Sequence, residues 1–371
     1  MTFHVRRNKS LALFSVGFIV LLIVYREVKR EYVISNLESR LAALEPRRPG
    51  RYVLEMMDKQ AANFIDFDDN TILLYNRVPK TGSTSFAGIA YELCYKNKYH
   101  VLHVNITKNS HLLSVRDQLS FIHNISEWTE RRPALYHGHF YFMDLKKLGL
   151  SDGVPVYINI IRNPLDRLLS YYYFMRYGDN FRPQVKRRRM GSDMTFDECV
   201  EQGQKDCDPV NLWLQIPFFC GHSYRCRQPG SRWALDMAKY NLINHYLLVG
   251  ITEELGDFIA MLEVILPRFF HGAMELYLSG ERSHLRQTNK KESPSEGSIK
   301  KIQESTIWKM EQEFYEFASI QFHFQKRLLF QAVDSLEPGE NISDRKSYLL
   351  SDGKLYVPKE VQIHYEKVRP R

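Results

Sequence analysis

Two β-to-α junctions constrain the fold more than any other feature of the chain. Residues 71–78 (TILLYNRV) are rich in Ile, Leu, Tyr and Val and read as a buried strand. They run straight into PKTGSTS (79–85) and then the helical stretch FAGIAYELCYKNK. Residues 154–161 (VPVYINII) form a second buried strand, which ends at Arg162, Asn163 and Pro164 before DRLLSYYY (166–173) opens a helix. Buried strands that pass directly into helices pair in parallel, because the helix is the crossover that returns the chain to the same edge. The expected fold class is α/β: a central, mostly parallel sheet with helices on both faces, related to nucleotide kinases. Helical segments at 231–245, 252–266 and 308–330, the last amphipathic, fit that class.

Both junctions also carry chemistry. A strand, a small-residue loop with a lysine and a helix N-terminus hold a phosphate through backbone N–H groups and the helix dipole. Lys80, Thr81, Gly82, Ser83, Thr84 and Ser85 supply that combination. The plain alternative is a strand–helix turn capped by Ser or Thr. A nucleoside triphosphate loop of the G-x-x-x-x-G-K-[ST] type is a poor match, since no glycine of that motif precedes Lys80. At the second junction Arg162 and Ser170 could grip another phosphate, ligands of open α/β sheets lying at such strand ends; otherwise Arg162 merely caps nearby carbonyls. A third string, YHGHF (136–140), places His137 and His139 in alternation. If extended, both point to one side, as a base with its assistant, as a structural pair, or as two ligands of a metal lacking a third.

The N-terminus bears on compartment. Arg6, Arg7 and Lys9 precede an uncharged apolar run at 10–25, and Arg26, Lys29 and Arg30 follow it. The run is shorter than the roughly 20 residues a typical bilayer needs, but the thinner early secretory membranes accept it. Tyr25, Arg26 and Glu27 lack the small residues of a cleavage site, so a retained signal-anchor is expected: tail 1–9 cytosolic, the bulk luminal, a type II membrane protein. Sequons at Asn105, Asn124 and Asn341 suit a lumen. So do two local cysteine pairs, Cys199 with Cys207 and Cys220 with Cys226, which read as loop-closing disulfides because C-x2-C zinc spacing is absent. Cys94 is left as a buried thiol within a helix. Residues 26–68 form a stem in which Ile34, Leu37, Leu41 and Leu44 suggest a short coiled coil, against a lone amphipathic helix. The catalytic domain is expected over 69–330, and 331–371 as a segment packing on it or on a neighbouring subunit.

Lys and Arg outnumber Asp and Glu by 51 to 43, a net charge of +8. That suits a polyanionic partner without choosing among nucleic acid, membrane and polysaccharide. A luminal chain excludes the first. The densest basic run in the folded part, Lys186 to Arg189, follows the second junction's helix and is either a solvated face or a reader of sulfate and carboxylate groups.

PKTGSTSF together with IRNPLDRLLSYYYF resembles the two phosphosulfate-binding elements of the Golgi carbohydrate sulfotransferases. YNRVPKTGSTSF, YHVLHVN, YHGHFYF, SYYYFMRYGDNFRP, TFDECV, LWLQIPFFCGH, AKYNLIN and SHLRQT are similar, in order, to segments of that family's heparan sulfate 2-O-sulfotransferases. The likeness covers about 72–324. The uronyl 2-O-sulfotransferases of chondroitin and dermatan, the next relatives, differ at the lysine loop and lack YHGH.

The resemblance implies transfer of a sulfuryl group from 3'-phosphoadenosine 5'-phosphosulfate to the 2-hydroxyl of a uronic acid, mainly iduronic, in heparan sulfate or heparosan. It implies His139 as base, His137 as its assistant, and Lys80 to Ser85 on the 5'-phosphate. Arg162 and Ser170 would take the 3'-phosphate, with Ser283, Thr288 and Lys291 in a loop over the nucleotide. Substrate contacts carried over are Arg77, Lys108, Asn109, Arg182, Arg187, Arg286 and Lys367. No metal is expected; a homo-oligomer, a trimer, is, in the Golgi membrane. A glycan-binding protein without catalysis would need the basic run but not the lysine loop, the Arg162–Ser170 element or the paired histidines.

Overall fold

The chain divides into two units, Met1–Tyr52 and Val53–Arg371. The computed structural model describes residues 70–334 except 106–109, 151–153, 180–181, 281–287 and 289, all within the second unit. Outside the described residues lie the expected tail, anchor and stem, Lys108, Asn109, Ser283, Arg286, Asn341, Lys367 and everything beyond 334. Among the described residues no helix is long and apolar enough to cross a membrane.

In chain order the elements are β1 (Ile72–Asn76), α1 (Ser83–Lys96), β2 (His100–His103), α2 (Val115–Glu127), β3 (Ala134–Gly138), β4 (Val156–Ile161) and α3 (Pro164–Tyr177). There follow α4 (Phe196–Glu201), α5 (Gln215–Cys220), α6 (Arg232–His245), β5 (Tyr246–Ile251), α7 (Leu255–Ile265), α8 (Pro267–Phe270) and α9 (Ala273–Leu278). α10 (Glu296–Gln303) and the 29-residue α11 (Thr306–Asp334) end the described chain. The sheet has five strands in the order β2-β3-β1-β4-β5, and every pairing is parallel. β1 sits at its centre with all five residues buried, which is why its sequence is a continuous apolar run rather than an alternation. Because β1 lies between β3 and β4, the chain reverses direction of travel across the sheet there. The carboxyl ends of those three strands therefore open on the crevice where α/β sheets bind ligands.

The two junctions end differently. At α3 the cap is complete: Asn163 accepts from the N–H groups of Leu165 and Asp166, and Pro164 occupies the first turn, where no N–H is needed. At α1 the cap position is Gly82, with φ of +71° and no side-chain hydrogen bond to the helix, and no acidic residue stands in the first turn. Lys80, just before it, holds φ of +70°, a conformation L-residues with side chains rarely adopt and one that concentrates at binding loops. The α1 terminus is thus left open to an anion, whereas the α3 terminus is already satisfied.

A second hydrophobic cluster lies under α3, where Leu168, Tyr172 and Tyr173 meet Phe196 and Val200 around the Cys199–Cys207 disulfide. Cys220–Cys226 closes the other short loop. Cys94 differs from expectation: it is unpaired but only half-buried, at the last turn of α1, with its thiol donating to the Tyr91 carbonyl.

Candidate active site

Arg77 follows β1 directly, and its N–H donates to the Gly138 carbonyl at 2.7 Å, prolonging the β1–β3 ladder by one residue. Its guanidinium then reaches into the crevice. Nη1 lies 3.2 Å from Nδ1 of His137, and Nη2 lies 3.4 Å from both the Ser83 and the Thr84 hydroxyls. A guanidinium only donates, so His137 Nδ1 accepts and its proton sits on Nε2, 2.8 Å from the Tyr91 hydroxyl. With 1% exposure and both ring nitrogens engaged, His137 is outside the cavity lining. The strand ends at Gly138, so the expected extended pair becomes one buried histidine that steadies Arg77 and one, His139, that faces the crevice. Gly138 separates them because a Cβ there would stand 2.8 Å from the Val104 carbonyl oxygen.

His139 is oriented from the opposite side of the same residue. Its Nδ1 is 2.7 Å from the Arg77 carbonyl, which only accepts, so Nδ1 carries the proton and Nε2 keeps a lone pair. Burial, and then the Arg77 charge, push its pKa down to about 3, against the opposing pull of that carbonyl. His111 repeats the device: its Nδ1 donates to the His139 carbonyl at 2.9 Å, and burial lowers its pKa too.

These residues line one cavity of about 710 Å³ together with Lys80, Gly82, Ser83, Thr84, Ser85, Arg162, Ser170, Phe174 and Thr252. Lys80 Nζ lies 4.0 Å from the centre of the Phe174 ring, and the Arg187 guanidinium stands 4.4 Å from the same ring. Arg162 extends from the end of β4 and donates to the Lys80 carbonyl at 3.3 Å, so the two junctions touch. Its Nε is buried with no hydrogen-bond partner among the described residues. A helix N-terminus without a side-chain cap and three cations, Arg77, Lys80 and Arg162, in one cavity fit a ligand with two separated anionic groups.

Other expected residues fall elsewhere. Thr81 is fully buried and its hydroxyl donates to the Val78 carbonyl at 2.9 Å, so it tightens the loop instead of offering the hydroxyl that was expected. Lys291 is 3.4 Å from Asp166 in the first turn of α3 and, like Thr288, is absent from the cavity lining. Arg187 lies 3.8 Å from buried Asp179, just after α3, and exposed Arg189 pairs with Asp206, so half of the basic run is tied to acidic partners. Arg182 is exposed, close enough to His103 for its charge to lower that pKa, after burial and Arg77. Asn105 is exposed at the cavity rim, and Asn124 is partly buried on α2. His103 and His111 were not found from the sequence: each is a lone histidine whose approach depends on how β2 and the loop after it meet β3.

The sequence and this geometry agree with the comparisons. Residues 63–318 match the model of the sulfotransferase family, and the chain belongs to that family. It is 50% identical over 347 residues to heparan sulfate 2-O-sulfotransferase 1 of Xenopus laevis, covering 92% of each chain. It is 50% identical over 344 residues to the Homo sapiens protein of that name, 92% of this chain and 90% of the relative. To the heparin sulfate O-sulfotransferase of Drosophila melanogaster it is 50% identical over 309 residues, 83% of this chain and 86% of the relative.

The depressed histidines have a consequence for stability. Those of His103, His111, His137, His139, His222 and His245 all lie below the ordinary value, burial being the first cause in each case. The unfolded chain takes up protons near pH 6.5 while the native chain resists. Stability is therefore full above that pH and falls as pH drops below it, for His139 until about pH 3. Each deeply buried ring costs up to about 1.4 kcal/mol per pH unit across its window. Thermal melts between pH 7.5 and 5 should show Tm falling steeply; a flat profile would mean that these rings protonate freely in the native protein.

Proposed function

We propose that the protein transfers the sulfuryl group of 3'-phosphoadenosine 5'-phosphosulfate to the 2-hydroxyl of uronic acid, mainly iduronic acid, in heparan sulfate. Its membership of the sulfotransferase family and the names of its relatives support the class of reaction. The observation that carries the residue roles is the sharing of one cavity by the open α1 terminus, Lys80, Arg162 and the free Nε2 of His139.

When bound, the phosphosulfate supplies the sulfuryl group and departs as adenosine 3',5'-bisphosphate. Lys80 and the α1 N–H groups face the 5'-phosphate, where negative charge grows as the S–O bond breaks. Arg162, with Ser170, lines the cavity and faces the 3'-phosphate. His139 Nε2 takes the proton of the acceptor hydroxyl as the new O–S bond forms. A pKa near 3, set first by burial and then by the Arg77 charge, is too low for a base in the free protein; anionic groups bound in the cavity offset the Arg77 contribution and raise it. Arg77, bridging His137, Ser83 and Thr84, ties the base to the phosphate loop, so that proton acceptor and donor cradle keep one distance.

Arg77, Arg182 and Arg187 on this side of the cavity suit the carboxylates and sulfates of the acceptor chain, with Lys108, Asn109, Arg286 and Lys367 as further contacts. The apolar run at 10–25, the three sequons and the two disulfides support a type II protein of the Golgi membrane with a luminal catalytic domain; a homotrimer is proposed on the family resemblance alone.

The test is sulfate transfer from the phosphosulfate donor to 2-O-desulfated heparan sulfate, which contains iduronic acid, to heparosan and to dermatan, followed by disaccharide analysis. Product on the 2-position of the uronic acid of the desulfated heparan sulfate is expected. Product on dermatan alone would move the protein to the uronyl 2-O-sulfotransferases, and heparin binding without transfer would make it a glycan-binding protein.

A further inference from the structure

The loop that carries Arg162 is held by residues distant from it in the sequence, to which no role was given above. Gln215, fully buried at the start of α5, brackets the Arg162 backbone: its Oε1 accepts from the Arg162 N–H at 2.9 Å and its Nε2 donates to the Arg162 carbonyl at 2.8 Å. The next residue is clasped from the other side, where the Asn163 N–H donates to Glu253 Oε1 at 3.0 Å. Both holders are in turn set by α11. Glu311 accepts the N–H groups of Leu214, Gln215 and Ile216 at 2.9, 3.3 and 3.1 Å, filling the otherwise uncapped N-terminus of α5. Tyr315, one turn further along the same helix face, donates its hydroxyl to Glu253 Oε2 at 3.1 Å.

We propose that Gln215 and Glu253 are positioning residues for Arg162, braced by Glu311 and Tyr315 of the long C-terminal helix, and that they set how well the protein tells a 3'-phosphorylated nucleotide from one without that group. The inference rests on the reading that Arg162 faces the 3'-phosphate. Its physical basis is rotational: apart from one long hydrogen bond from Nη1 to the Lys80 carbonyl, the Arg162 side chain takes its direction from its backbone, so loss of the two-point clamp lets its tip move by more than a charge-assisted hydrogen bond tolerates. Nothing in the clamp touches the acceptor side of the cavity, where Arg77, His103, His111 and His139 stand.

The experiment compares binding of adenosine 3',5'-bisphosphate and of adenosine 5'-monophosphate by calorimetry, on the wild type, Gln215→Leu and Glu253→Ala, with KM for heparosan measured alongside. Glu253 is exposed, so its replacement leaves the fold intact should Gln215→Leu fail to fold. Each variant is expected to bind the bisphosphate about tenfold more weakly, to bind the monophosphate as the wild type does, and to keep the KM for heparosan. Glu253→Gln, which retains an acceptor for the Asn163 N–H, should restore most of the loss. Unchanged bisphosphate affinity in Glu253→Ala, or equal weakening of both nucleotides, would overturn the clamp. A wild type that binds the two nucleotides equally would instead overturn the role of Arg162 itself, and the clamp's role with it.

Discussion

Replacing His139 by alanine is expected to lower sulfuryl transfer by about 10²–10⁴-fold, the usual worth of a positioned general base. Adenosine 3',5'-bisphosphate should bind within about twofold of the wild type. The polar anchor of the ring is the Arg77 carbonyl, and the side chain makes no hydrogen bond to the phosphate loop, so its removal leaves the cradle in place. Transfer rates at saturating donor, set beside calorimetric nucleotide affinity, check this. The informative control is His111→Ala. His111 presents the same tautomer to the same cavity, so if it rather than His139 abolishes transfer, the base has been assigned to the wrong ring. His137→Ala should behave differently from both. Losing the acceptor for Arg77 Nη1 disturbs the positioning of Ser83 and Thr84, and nucleotide affinity should weaken together with rate.

The largest effect on stability is expected from Glu311→Ala. Glu311 is completely buried, and its carboxylate caps α5 through three N–H groups. Burial raises its pKa to about 7, and the charge of Arg167 is the first influence pulling it back down. Arg167 is itself one of the largest fully buried side chains, its charge disfavoured by burial and supported first by Glu311. Removing Glu311 strands the three α5 N–H groups and withdraws the charge that best supports buried Arg167, whose remaining partners are the Asn211 and Leu212 carbonyls, a loss of about 3–5 kcal/mol. Denaturant unfolding of the catalytic domain would register it. Replacing both residues by apolar ones of similar volume should recover part of the loss, because a buried pair is dear to solvate and not intrinsically stabilising. Additive losses in the double variant would show that the two charges do not depend on each other. Glu311 also opposes the histidines in its pH dependence. Its folded pKa lies above the unfolded one, so its contribution is full at low pH and declines as pH rises through about 7.

The local motifs were legible because their geometry is local. A buried strand, a small-residue loop and a helix start lie within one continuous stretch, and the same holds for both disulfide loops. β-to-α alternation in turn dictates parallel pairing. The α11 pattern was readable from its apolar spacing: Met310, Phe314, Ala318 and Phe322 are all buried. That same pattern gave no hint of Glu311, whose burial depends on a helix start ninety-five residues earlier in the chain. Thr81 misled for a related reason. Composition shows a hydroxyl in the loop, but only the folded backbone decides that it turns inward to Val78.

What the residues determined unaided was the class of fold, the two β-to-α junctions and the pair of histidines, each a matter of neighbours along the chain. Which histidine faces the cavity was settled by the tertiary structure, through hydrogen bonds from opposite sides of Arg77: its guanidinium engages His137 and its carbonyl engages His139. The approach of His103 and His111, and the grip of Gln215 and Glu253 on the Arg162 turn, were decided there as well. Those relations join segments distant in sequence, and the strand order β2-β3-β1-β4-β5 brings them to one edge of the sheet. Parallel crossovers separate spatial neighbours by whole helices, so no spacing in the sequence can record them.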